Sequence, residues 1–121
     1  MSIDLVSAIV SKALDGLFVR QTVTADNIAN ANSDGFTPAR ISFEDALRAA
    51  ASPRHGDEPT RVSERVAGVT PTLDLAAMNR SEGVQLDQEI ATASETSARY
   101  AMLTGMLDRT LQLQTLAIKG V

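Results

Sequence analysis

Asp26-Asn27-Ile28-Ala29-Asn30-Ala31-Asn32-Ser33-Asp34-Gly35-Phe36 decides how this chain is organised. It closes a long amphipathic run and opens a turn. Asparagine ranks low among helix formers because its amide competes for nearby backbone groups. It also tolerates the left-handed region better than most residues. A helix entering this stretch is therefore expected to stop by about Asn32. Ser33-Asp34-Gly35 supplies turn chemistry, with Gly35 free to take a positive φ. A polar helix end with a glycine stop explains Ser33 and Gly35. It does not explain the repeated Asn-x-x-Asn spacing.

Working back from this stretch, residues 3–31 read as one long helix. Ile3, Val6, Val10, Leu14, Leu17, Gln21, Thr24 and Ile28 recur at alternating steps of three and four, a heptad-like seam. A second apolar row, Leu5, Ile9, Ala13 and Phe18, widens the stripe. Ser2 is placed to cap the start, and Asp4 suits the first turn. Gly16 costs about 1 kcal/mol relative to Ala inside a helix, so a close packing partner is expected there. The seam turns polar at Gln21 and Thr24, which disfavours burial and favours a fixed register.

Working forward, Pro38 holds Thr37 out of the helical region, so Phe36–Ile41 is extended. Ser42 looks like a cap, with Asp45 an acidic variant of the capping box, for a short helix near 42–51. Phe43 and Leu47 form its apolar i, i+4 pair. Pro53, Gly56 and Pro59 then read as breakers of a linker that keeps His55 in solvent. Residues 62–78 are ambiguous: Val69–Leu73 suits an extended edge and Asp74–Met78 a helical turn. The expectation is a surface-laid or weakly extended middle. Residues 85–119 form the second long helix, with Leu86, Ile90, Ala93, Ser97, Tyr100, Thr104, Leu107, Leu111, Gln114 and Ile118 as its seam. A second row holds Met102, Leu103, Met106, Leu113 and Leu116.

The fold class that follows is mainly α. Two long terminal helices pair as an antiparallel, coiled-coil-like hairpin around a short helix and an irregular middle. The segments are 1–32, 33–51, 52–83 and 84–121. Both helices carry more apolar surface than one seam needs, and surplus stripes of this kind usually meet another subunit. Val10, Leu14, Leu17 and Ile28 are expected to face Ile90, Tyr100, Leu107 or Leu111. Arg99 and Leu103 belong to the same set of contact residues.

Composition supports this. The chain has 121 residues, which suits one domain, and is 44% hydrophobic but only 3% aromatic, so the core must be aliphatic. Eleven basic against fifteen acidic residues leave a net charge of −4, which argues against nucleic-acid binding. No cysteine is present, so disulfides and thiolate metal sites are excluded. Residues 3–19 are interrupted by Asp4, Lys12 and Asp15 and lack the pattern of a cleaved signal. No catalytic constellation, phosphate loop or metal motif is visible, and the expectation is a non-enzymatic protein with no cofactor and no small-molecule substrate.

The opening stretch, Asp26 to Asn32 followed by Gly35-Phe36, resembles the N-terminal signature of the bacterial flagellar axial proteins. Phe36 through Leu47, Gly83-Val84-Gln85-Leu86-Asp87-Gln88-Glu89-Ile90 and Arg99-Tyr100-Ala101-Met102-Leu103-Thr104 resemble the FlgB family of basal-body rod proteins. Two departures exist: Gln85 stands where an acidic residue is usual, and Ser33-Asp34 replaces a commoner Thr-Pro.

The resemblance implies a structural subunit of the proximal rod, the drive shaft crossing the periplasm. It implies export by the flagellar type III apparatus without signal cleavage, and terminal helices that order on assembly. The implied partners are copies of itself, FlgC- and FlgF-like rod subunits, the ring–rod junction protein FliE and the export gate. Asn27, Asn30, Gly35 and Phe36 are the signature residues so implicated, with Asn27 and Asn30 expected to fix register by hydrogen bonds in the packed rod. The competing expectations are a soluble helical adaptor or export chaperone, and a neighbouring rod protein such as FlgC.

Overall fold

The computed structural model describes residues 3–120, so the expected Ser2 cap lies outside the described residues. Helix α1 spans Ile3–Ala29. It stops where the asparagines begin to redirect the backbone. Asn30 N donates to Asp26 O at 3.1 Å and Asn27 O at 3.2 Å, and Ser33 N donates to Asn30 O at 3.0 Å. Gly35 then takes φ +73°, the left-handed value the turn requires.

The chain next runs extended into strand β1, Ile41–Ser42, and helix α2, Glu44–Ala51. Ser42 does not cap α2. The cap position is Phe43 with no side-chain cap bond, because Ser42 pairs with Thr72 of strand β2, Thr72–Leu73. Ile41 pairs with Leu73 in the same antiparallel ladder, and Asp74 N extends it by donating to Arg40 O at 2.9 Å. Helix α4, Leu75–Asn79, follows at once, capped by Asp74, which accepts from Ala77 N at 2.9 Å.

The middle differs from the expected irregular segment. Pro59–Ala67 is helix α3. Pro59 does not break it, because proline is tolerated in the first turn, where its missing N–H has no helical partner to lose. Val62 and Val66, one turn apart, and Val69 are buried, and Val66 is wholly so. Arg65 ties the preceding loop down. It donates to Ala50 O and Ser52 O and makes a two-pronged contact with Asp57 at 2.7 and 3.0 Å.

The core therefore lies between α1, α2 and α3, where Leu5, Leu17, Phe43, Leu47, Val62, Val66 and Val69 form one cluster. The close partner expected at Gly16 is the Phe43 ring. A β-carbon on residue 16 would lie 2.6 Å from three ring carbons. Helix α5, Leu86–Lys119, lies along the other side of α1 and runs antiparallel to it: Asn27 meets Glu89, Gln21 meets Ala93, and Ala13 and Leu103 share one cleft. It ends at Gly120 in the left-handed region.

The seam on α5 also differs from expectation. Leu86, Ile90, Tyr100, Leu111 and Ile118 are exposed, and the two buried residues of α5 are Glu89 and Thr96. Leu103 and Leu107 are half-buried. Opposite them, α1 buries Thr24 and Asn27. Small and hydrogen-bonded side chains occupy the stretch of contact between Asn27 and Thr96. The bulky apolar residues that a heptad reading turns inward sit on its flanks.

Candidate assembly interface

The Asn-rich stretch and the start of α5 are joined by a buried polar clasp. Asn27 is wholly buried. Its Nδ2 donates to Ala39 O at 2.9 Å and to Glu89 Oε2 at 3.1 Å, and its Oδ1 accepts from Ala39 N at 2.9 Å. Asn27 thus pairs with both backbone groups of Ala39, much as a strand neighbour would, and so holds the extended segment against the helix. Glu89 is also wholly buried. Its second oxygen has the Arg40 guanidinium beside it at 2.5 Å as a counter-charge, without the alignment of a hydrogen bond. A buried carboxylate needs both a counter-charge and hydrogen bonds, and this one has them from two separate elements.

A second polar group holds α2. Arg20 donates to Glu44 through both terminal nitrogens, at 2.6 and 2.7 Å, and to Ile41 O at 2.8 Å. Its guanidinium carbon lies 4.9 Å from the centre of the Phe43 ring. The Arg20 hydrogen bonds hold the Glu44 carboxyl below its ordinary value. Arg99, half exposed, bridges Glu95 at 2.6 Å and approaches Glu44 at 3.7 Å, so it links α5 to α2.

Of the residues singled out in the sequence, Val10 and Leu17 are buried, and Leu14 and Ile28 are half-buried. Asn30 does not reach another element. Its amide returns to Asp26 O at 2.9 Å and closes the helix end, while its Oδ1 accepts from Ser33 Oγ at 3.3 Å. Phe36 is half-buried beside the exposed Gly35. Sequence reasoning missed Glu89, Arg40 and Thr96 as contact residues, and it placed Thr24 on the seam but expected burial there to be disfavoured, whereas Thr24 is buried. The signal for Glu89 was its offset of one from Ile90, which a hydrophobic periodicity count cannot weigh.

The surface left over is apolar. On one flank of α5 lie Met102, Met106 and Leu113, and on the other Tyr100, Leu111 and Ile118, all exposed. Phe18 on α1 is 64% exposed. Between the helices opens a groove of about 430 Å³ lined by Leu17, Phe18, Gln21, Thr96, Ser97, Tyr100 and Ala101. Exposed apolar rows of this extent on a small chain mark contact surfaces. Among the described residues no cluster of three or more His, Asp or Glu is placed to hold a metal ion, and no helix is long and apolar enough to cross a membrane.

Residues 12–37 match a family model described as flagella basal body rod protein. The match supports the rod protein family. It runs from the middle of α1 through the Asn-rich end and the Gly35 turn, and so contains Gly16, Phe18, Gln21 and Asn27. No curated protein and no solved structure matches the chain significantly. The rod family is a structural family, not an enzyme family, and supports a place in the flagellar basal body among its other components.

Proposed function

We propose that this chain is a FlgB-type structural subunit of the proximal rod. It is exported through the flagellar type III apparatus without signal cleavage and assembles in the periplasmic space with copies of itself and with FlgC- and FlgF-like subunits. The junction protein FliE and the export gate are its proposed neighbours at the membrane ring. The observation that carries the reading is a coincidence of place. The segment matching the rod family contains Asn27, the hub of the clasp that fixes α5, and the two helices so joined leave long apolar rows uncovered. Such rows, repeated on every copy, give contacts that continue into a tube, because head-to-tail contacts that do not close generate helical assemblies. A shaft that carries torque gains from contacts between rigid helices, whose side chains are held in fixed register.

The test separates folding from assembly. Deleting residues 1–31 or 86–121 is expected to abolish rods and swimming, but those deletions remove the fold as well. Met106→Asp with Leu113→Asp changes only exposed side chains. The double variant is expected to keep the helical circular dichroism of the wild-type chain and to leave cells without rods. Normal swimming in that strain refutes the reading.

A further inference from the structure

The chain contains two Asp-Gly pairs, Asp15-Gly16 and Asp34-Gly35. In such a pair the glycine backbone nitrogen can attack the γ-carbon of the preceding side chain and close a five-membered imide. No β-carbon on the glycine obstructs the approach. The reaction is intramolecular, so its rate depends on whether the backbone can bring nitrogen and carboxyl together.

The two pairs sit in opposite surroundings. Gly16 lies inside α1, where its N–H belongs to the helical ladder. It is buried against Phe43, whose ring carbons stand 2.6 Å from the place of a β-carbon there. Turning that nitrogen toward the Asp15 carboxyl would break the helix and displace the ring. Asp34 and Gly35 are both exposed, in the middle of the turn closed by Phe36 N donating to Ser33 O at 3.3 Å. Nothing lies within 4 Å of the place of a β-carbon on Gly35, and the Gly35 N–H donates to no backbone carbonyl among the described residues. The neighbouring Asn32 is less free, because Ser33 N, the atom that would attack it, donates to Asn30 O at 3.0 Å.

We propose that Asp34 is a self-modification site at which the folded chain converts to isoaspartate. Gly35 N forms a bond to Asp34 Cγ. One carboxyl oxygen leaves as water, taking the amide hydrogen and the proton of the acid form. Water then adds to the imide at the main-chain carbonyl carbon of Asp34, and the bond from that carbon to Gly35 N breaks. Water is lost and regained, so the mass is unchanged and no oxidant or cofactor is consumed. The main chain now runs through the Asp34 side chain and is one atom longer, and the α-carboxylate of Asp34 is free. This longer turn lies between the two segments that Asn27 holds together, the end of α1 and Ala39. The free α-carboxylate is the group that an isoaspartate carboxyl methyltransferase esterifies with S-adenosylmethionine. The converted chain is a substrate of that enzyme class and the fresh chain is not.

The two pairs serve as controls for each other. The full chain is kept warm for weeks in neutral buffer, folded in one sample and in denaturing urea in the other. Trypsin then separates the pairs into the peptides 13–20 and 21–40. Isoaspartate is read as a peptide of unchanged mass and shifted elution, placed by electron-transfer fragmentation, and by methyl uptake from labelled S-adenosylmethionine. In urea both pairs are expected to convert at similar rates. In the folded chain Asp34 is expected to keep most of its urea rate while Asp15 slows at least tenfold. Asp34→Glu changes only an exposed side chain and is expected to remove the signal at position 34, because glutamate would have to close a less favourable six-membered ring. Folding that slows Asp34 as much as Asp15, or methyl uptake undiminished in the Asp34→Glu chain, overturns the proposal.

Discussion

Asn27 and Asn30 are the same residue type three positions apart in one motif, yet the structure gives them very different tasks. Replacing each with alanine in the isolated chain measures the difference. Asn27→Ala removes three hydrogen bonds: two to Ala39 and one to Glu89. At about 1 kcal/mol net each, the lost bonds amount to roughly 3 kcal/mol. The stranded partners add to this, because the wholly buried Glu89 carboxylate loses a donor that water cannot replace. The expected cost is about 3–5 kcal/mol, a large share of the roughly 5–15 kcal/mol that holds a domain of this kind folded.

Asn30→Ala loses only local bonds at an exposed helix end, to Asp26 O and from Ser33 Oγ, and gains the better helix former. Its expected effect is within about 0.5 kcal/mol. The assay is urea unfolding followed by far-ultraviolet circular dichroism, at a concentration where sedimentation shows monomer. Equal effects for the two variants, or an Asn27→Ala cost under about 1 kcal/mol, would refute the view that Asn27 acts within its own chain.

Gly16→Ala is expected to destabilise despite the helix-forming gain of about 1 kcal/mol. The new β-carbon meets the buried Phe43 ring at 2.6 Å, and overpacking of that kind costs about 1–3 kcal/mol. Adding Phe43→Leu is expected to recover part of the loss, and a Gly16→Ala chain more stable than wild type by urea unfolding would contradict the close contact. Acid sensitivity follows from Glu44 and Asp57, whose carboxyls are held below their ordinary values by hydrogen bonds from Arg20 and Arg65. Depressed folded values mean the stabilisation is complete above the unfolded values of 4.5 and 3.8 and is lost as pH falls through the folded ones. Thermal midpoints are expected to drop below about pH 4.5 and to drop less steeply in Glu44→Gln, while an identical profile for that variant would remove Glu44 from the account.

The long helices and the helix stop were legible because their signals are local. The three–four recurrence from Ile3 to Ile28 and the Asn-rich stretch closed by Gly35 after it need no knowledge of the rest of the chain. Helix α3 was not legible for the opposite reason. Pro59 carries a strong breaker signal, and only the finished fold shows it at a first turn with Val66 beneath it in the core. The face of α5 failed in a third way. Periodicity gives the spacing of a stripe, and hydrophobicity was then used to choose its phase. Glu89 reverses that choice, because a carboxylate met by Asn27 and Arg40 can be buried while Ile90 beside it stays out.

That reversal bears on how the chain combines a fixed fold with an open surface. A helix pair sealed by leucines on both sides uses its best apolar side chains internally and leaves little for a partner. Here the stretch of α1–α5 contact between Asn27 and Thr96 is built from Asn27, Thr24, Ala93, Thr96 and Glu89, whose hydrogen bonds and small volumes set register and closeness. Tyr100, Met102, Met106, Leu111 and Leu113 are thereby left on the flanks. A hydrogen-bonded clasp tolerates a shift of register poorly, since sliding α5 by one residue would strand Glu89 without Asn27 or Arg40. Apolar rows tolerate such shifts well. Placing the intolerant contact inside the chain and the tolerant apolar rows outside fixes the shape of the chain independently of whatever covers those rows. The matched segment at residues 12–37 holds Asn27, the central member of that clasp, and Phe18, the edge of the open groove, so the clasp that fixes the fold and the apolar edge it leaves open lie in one stretch of helix and turn.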